Sequence, residues 1–172
     1  MPVATFTGVP RVRKTTTEQT VCFTEVNTLA VLQSGVVELA NIIRYQVAQG
    51  EIREMKIKIP QGMNVTGVQA AGLATWSFDP EKRLLDVILD KAVSGDFALT
   101  VVTQVACDGL PYDARIGAIQ VQDTLRQRGS VALSAPDDIQ VRVDEVKGLN
   151  PMNIEDFVAE TGSIQSPEDV QR

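Results

Sequence analysis

Apolar and polar residues alternate with a period of two along most of this chain, the signature of strands that bury one face. Met55-Lys56-Ile57-Lys58-Ile59 interleaves apolar and lysine residues strictly, and Ile139-Gln140-Val141-Arg142-Val143-Asp144 repeats the pattern. Phe97 to Thr103 is a further strand, and Ile43, Tyr45 and Val47 oppose Arg44 and Gln46. Leu84 to Leu89 is almost continuously apolar, which predicts a strand covered on both faces, with Asp86 as the exception. Glu38 to Gln49 could be drawn as a helix, but its β-branched and aromatic residues fit a strand better.

Turn chemistry separates these runs. Gln33-Ser34-Gly35, Gln49-Gly50, Pro60-Gln61-Gly62, Ala71-Gly72, Asp79-Pro80-Glu81-Lys82, Ser94-Gly95-Asp96 and Asp108-Gly109 supply left-handed backbone or a preset proline. The gaps are too short for the crossover helices that a parallel sheet needs. The expected fold class is therefore all-β, an antiparallel β-sandwich with a second, smaller β segment and little helix. The sandwich is placed at residues 18–107. The second segment, at 113–160, is expected to hold strands at 117–122, 130–135 and 139–146. It either packs on the first or belongs to a neighbouring domain. A short amphipathic helix is expected from Asn153 to Glu160, with Asn153 as its N-cap. Residues 1–17 and 161–172 are expected to be flexible ends.

With 172 residues, 44% hydrophobic and 22% charged, the chain can bury a core of its own. No run approaches the ~20 apolar residues of a membrane helix. The net charge of −6 is unevenly placed, because residues 1–136 carry 13 acids and 13 bases. The excess lies in the last stretch, where Asp137, Asp138, Asp144, Glu145, Glu155, Asp156, Glu160, Glu168 and Asp169 face Arg142, Lys147 and Arg172. This reads as a solvated face or tail, with a calcium or basic-partner site as the sharper alternative. With no basic excess, nucleic acid is excluded as an expected partner.

Candidate chemistry is sparse. Histidine is absent, which removes every imidazole-based triad and the commonest general base and metal ligand. No phosphate loop, dinucleotide fingerprint, nucleophile elbow or calcium-binding helix–loop–helix pattern occurs. Asp79, Asp86, Asp90, Asp96, Asp108 and Asp113 could serve a carboxylate enzyme, but most fall in turns where aspartate has a structural role. No catalytic residue, cofactor or metal ligand is assigned.

Cys22 and Cys107 stand 85 positions apart and form a possible disulfide, or else two small buried side chains. Trp76 follows Cys22 by 54 positions and Val105 occupies the place of a tyrosine corner, which disfavours a true immunoglobulin domain. Trp76, Tyr45 and Tyr112 are the aromatic residues that could contact a ligand by stacking, with core packing as the plainer role.

From Val37 to Gln104 the chain joins an Ile43/Tyr45 strand, Ile57-Lys58-Ile59-Pro60-Gln61-Gly62, Trp76, the Leu84–Leu89 strand and Gly95-Asp96-Phe97. Together with Arg126-Gln127-Arg128-Gly129-Ser130-Val131 further on, this grammar resembles β-sandwich segments of large, mostly uncharacterised, membrane-anchored bacterial envelope proteins. The resemblance implies an extracytoplasmic β module and no activity. Because the start lacks the n- and h-regions of a signal peptide, the chain is expected to be a piece of a longer protein, or cytoplasmic if complete. The expected function is a non-catalytic structural or protein-interaction module, partnered by another protein or by neighbouring domains, with its oligomeric state open. A carbohydrate- or peptide-binding module is the alternative, and a carboxylate-dependent enzyme the next.

Overall fold

The computed structural model describes residues 19–155. Seven strands form one hydrogen-bonded sheet: β1 (Val21–Gln33), β2 (Val36–Lys58), β3 (Met63–Ala70), β4 (Leu73–Asp79), β5 (Leu84–Ala106), β6 (Gln120–Val121) and β7 (Arg126–Ser134). β2 and β5 are each 23 residues long, far beyond an ordinary strand of 5–6. Both bend at the same level. Their register shifts between Val47 and Ile52 and again before Glu54. Gly50 and Gly95 occupy left-handed backbone at the bend, with φ of 78° and 74°, a conformation that costs glycine little.

The bend divides the sheet into two halves. On one side the order is β7-β1-β2-β5-β3, and on the other the late part of β2 and the early part of β5 are flanked by β6 and β4. One apolar core lies between the halves. Val37, Leu39, Ile43, Leu99 and Val101 come from the first half, and Met55, Ile57, Leu85, Val87 and Val121 from the second. Ile57 pairs across strands with Leu85, both fully buried, each contributing about 1.5–3 kcal/mol by leaving water.

The fold is thus an all-β sandwich, and five of its six strand pairings are antiparallel. The sixth, β1 with β7, is parallel. It is reached by the long connection from Cys107 to Ile119, and it places β6 and β7 in the same sheet as β1 and β2. Glu38 to Gln49 lies wholly in β2, and Met55 and Ile57 point into the core while Lys56 and Lys58 are exposed. Leu84 to Leu89 departs from the expectation of two covered faces. Leu85, Val87 and Leu89 are buried, whereas Leu84, Asp86 and Ile88 are only half-covered.

A buried polar bridge crosses the first half. Asn41 Nδ2 donates to the Val101 carbonyl at 2.9 Å and to Thr103 Oγ1 at 3.2 Å, while its Oδ1 accepts from Thr28 Oγ1 at 2.8 Å. Asn41 is therefore satisfied although no part of it reaches solvent. At the other end Arg83 donates to the carbonyls of Ile59, Pro60 and Met63, tying the β2–β3 turn to the start of β5.

Past β5 the expectations fail in part. The strand expected at 117–122 shrinks to Gln120–Val121, and residues 139–146 form no strand at all. Alternation makes that segment competent for pairing, but a strand exists only with a hydrogen-bonded neighbour, and none adjoins it among the described residues. Ile154 and Glu155 have helical backbone; the rest of the helix expected to Glu160 lies outside the described residues, as do the ends at 1–17 and 161–172.

Gly129 fixes how closely β7 approaches β1. A methyl group there would land on the Val26 backbone, its carbonyl oxygen first, whereas one at Gly67 would meet nothing within 4 Å. Gly129→Ala should therefore lower stability by about 1–3 kcal/mol in denaturant titration, with Gly67→Ala changing it by less than about 0.5 kcal/mol. Equal effects from both would contradict the close approach.

Candidate functional site

Residues that alternate outward along β1, β2, β5 and β7 form two cross-strand rows near the bend. One row reads Arg128, Glu25, Arg44 and Ala98; the next reads Arg126, Phe23, Gln46 and Asp96. They line an open cleft of about 610 Å³. The strands set this arrangement, because cross-strand partners share a face and stand about 4.5–5.5 Å apart at Cβ.

Glu25 is the hub. Its Oε2 accepts from Arg128 Nε at 3.0 Å and Nη2 at 2.7 Å; its Oε1 accepts from Asn27 Nδ2 at 2.9 Å and faces Arg44 Nη1 at 3.4 Å. Asn27 in turn accepts from Ser130 Oγ at 2.7 Å, a second link between β1 and β7. Burial tends to raise the Glu25 carboxyl, but the Asn27 amide and the two arginines outweigh it and hold the group below its ordinary value. Glu25 is accordingly an ionised clamp with no proton to give at neutral pH. Gln127, facing the opposite side of β7, uses its side-chain amide as a strand would: Nε2 donates to the Ile119 carbonyl at 2.7 Å and Oε1 accepts from Val121 N–H at 2.8 Å.

The structure does not bring the sequence candidates together. Tyr45 is buried and stacked on Phe97, with ring centroids 4.7 Å apart and planes 6° from parallel. Its hydroxyl has no hydrogen-bond partner among the described residues, and burial pushes its ionisation far above the ordinary tyrosine range. Trp76 is half-buried on β4, packed against the core. Tyr112 donates from its hydroxyl to the Gln33 carbonyl at 2.9 Å. Tyr45 pairs with Thr24 at one end of β1 and Tyr112 sits at Gln33 at the other, so the two are roughly 30 Å apart. They form no common stacking platform.

The Cys22–Cys107 bridge is likewise corrected. Both are free thiols. Cys22 pairs with Val47 at one end of β2, while Cys107 N–H donates to the Gly35 carbonyl at the other. About eleven strand residues, roughly 36 Å, separate them, against less than about 7 Å for a disulfide. Burial raises both thiols above their ordinary value, which disfavours the thiolate.

Among the carboxylates, Asp79 closes its own turn: Oδ1 accepts from the backbone N–H of Lys82 and Glu81, each at 3.0 Å, which stabilises the carboxylate and holds its pKa below the ordinary value. Asp86 and Asp96 lie on opposite sides of the bend in β5, paired with Lys56 and Gln46. Among the described residues no three of Cys, Asp or Glu gather as metal ligands. In the acidic stretch, Asp137, Asp138, Asp144 and Glu145 are exposed, and Arg142 Nε pairs with Asp144 at 2.6 Å.

Sequence reasoning missed Glu25, Arg44, Arg126 and Arg128. A charged residue every second position in a strand looks like ordinary solvated surface; only the register reveals the rows.

No family model matches the chain, and no curated protein matches it. Solved structures to which the chain is similar include the seventh ScaB type I cohesin from Pseudobacteroides cellulosolvens, at 10% identity and a TM-score of 0.43, covering 72% of this chain and 99% of that one. A non-cellulosomal cohesin from Archaeoglobus fulgidus follows at 13% identity and a TM-score of 0.38, covering 66% and 91%. An M1 zinc metallopeptidase from Deinococcus radiodurans matches at 8% identity and a TM-score of 0.38, over 53% of this chain. The chain spans about a fifth of that enzyme's length (21%). Such values transfer no ligand, partner or reaction.

The Glu25 clamp has a pH signature. Because its folded-state value is depressed, its contribution is present above the ordinary value near 4.5 and is lost as pH falls through the lower folded value. Stability measured from pH 7 into this acid window should therefore fall less steeply in Glu25→Gln than in the parent. Identical slopes would contradict the clamp.

Proposed function

We propose that this chain is a non-catalytic structural and protein-interaction β module, one unit of a longer extracytoplasmic bacterial protein. The observation that carries the interaction reading is the edge of β7, which no strand covers among the described residues. β7 ends the strand order, runs nine residues, and pairs with β1 without a register shift. The other edges are blunted: β3 pairs across a bulge at Val65/Gly67, β4 across one at Leu73/Thr75, and β6 has two residues. An unbulged edge presents unpaired backbone groups that accept an added strand. Its exposed Leu133 offers apolar contact, and exposed Arg126 and Arg128 favour an acidic partner. The placement in the envelope is supported by the resemblance of the strand-and-turn grammar alone.

The test uses isotope-labelled full chain and a capped seven-residue peptide of alternating valine and aspartate. Amides of residues 128–134 should shift saturably in NMR titration, and Arg126→Glu, which leaves the Glu25–Arg128 clamp in place, should weaken binding by about threefold. If the β7 amides stay unmoved at millimolar peptide, the edge is not a docking site.

A further inference from the structure

Residues 139–146 are the strand that the sequence describes and the sheet does not contain. Val141, Val143 and Val146 are 38%, 57% and 56% exposed, and apolar and polar residues alternate through Asp144. The chain leaves β7 through Ala135-Pro136-Asp137-Asp138, and Ile139 N–H donates back to the Pro136 carbonyl at 3.0 Å. After that turn residues 140–146 are exposed and pair with no strand among the described residues. Among the described residues each copy therefore carries an unpaired strand pattern and an unpaired edge.

We infer that residues 139–146 of one copy add to the β7 edge of a second copy, so that two copies exchange strands. This deepens the interaction reading and rests on it, naming the partner as the chain itself. Three features of the page fit the two together. The lengths agree, eight residues against the nine of β7. The charges are opposite: Arg126 and Arg128 are the only charged residues of β7, while residues 137–146 hold Asp137, Asp138, Asp144 and Glu145 against Arg142. The faces agree as well. An antiparallel register that sets Asp144 opposite Arg128 also sets Val141 opposite Val131 and Ile139 opposite Leu133. Val143 then faces Gly129, the one β7 position with no side chain to obstruct it. A slip of one residue would turn Val141 and Val143 to the charged face, so the pattern selects this register or one two residues away. Reciprocal exchange satisfies both edges and closes the assembly as a pair.

The experiment uses full-length chains with Cys22→Ala and Cys107→Ala, one also carrying Val131→Cys and the other Val141→Cys. Mixed and mildly oxidised, they should yield a disulfide-linked heterodimer, since in the mixture only a contact between copies can join them. The unmodified chain should double its mass with concentration in light scattering, which needs no substitution to fold. Asp144→Arg should weaken association by about three- to fivefold, while Asp144→Glu should leave it within about twofold of the parent. A chain that stays monomeric at every concentration overturns the inference. So does a cross-link that forms only when both cysteines sit in one chain, which would mean a hairpin on its own β7. If the chain is monomeric yet the valine–aspartate peptide still shifts the β7 amides, the edge is an interaction site and the exchange inference alone falls.

Discussion

The pairing of β2 with β5 is the constraint on which the rest of the molecule depends. Two strands of 23 residues stay in register on both sides of one bend, so a single sheet folds over its own core. Gly50 and Gly95 make the bend affordable in backbone terms by taking up left-handed conformations at one level. Every other strand borders this pair or borders β1, which itself lies on β2. Had the two strands broken at the glycines, Ile57 and Leu85 would have no reason to face Val37 and Leu99 across a common core.

The same geometry creates the interactive rim. β1 shields one edge of β2, and β7 then shields β1, through a parallel pairing tightened by Gly129 and the clamp of Glu25 with Arg128. The sheet must stop somewhere, and it stops at β7 with a straight edge. Charges gathered on the outer face there give that edge a sign. The acidic segment that follows it carries the opposite sign and the alternation of a strand.

Much of this fold is legible in the sequence, because alternation is a local signal. Lys56 and Lys58 between buried Met55, Ile57 and Ile59 mark the late part of β2 without ambiguity. Continuity across the bend is not legible: Gln49-Gly50 and Ser94-Gly95-Asp96 read as loop turns, since a glycine in left-handed backbone serves a hairpin and a strand bend equally well. The parallel place of β7 is hidden for a different reason, as nothing local chooses a strand's neighbour. The clamp is hidden likewise, with Glu25 and Arg128 lying 103 positions apart. Val141 and Val143 show the converse, a strand pattern plainly written whose partner no local rule can name. The aromatic candidates were legible only as apolar bulk, and Tyr45, Trp76 and Tyr112 are spent on packing and one backbone hydrogen bond.

The most direct measurement of the central claim is amide hydrogen exchange of the intact chain at rising protein concentration. Residues 140–146, exposed in a single copy, should gain protection together with the outward amides of β7 as concentration increases. Exchange at the free-peptide rate throughout 139–146 at every concentration would contradict the account.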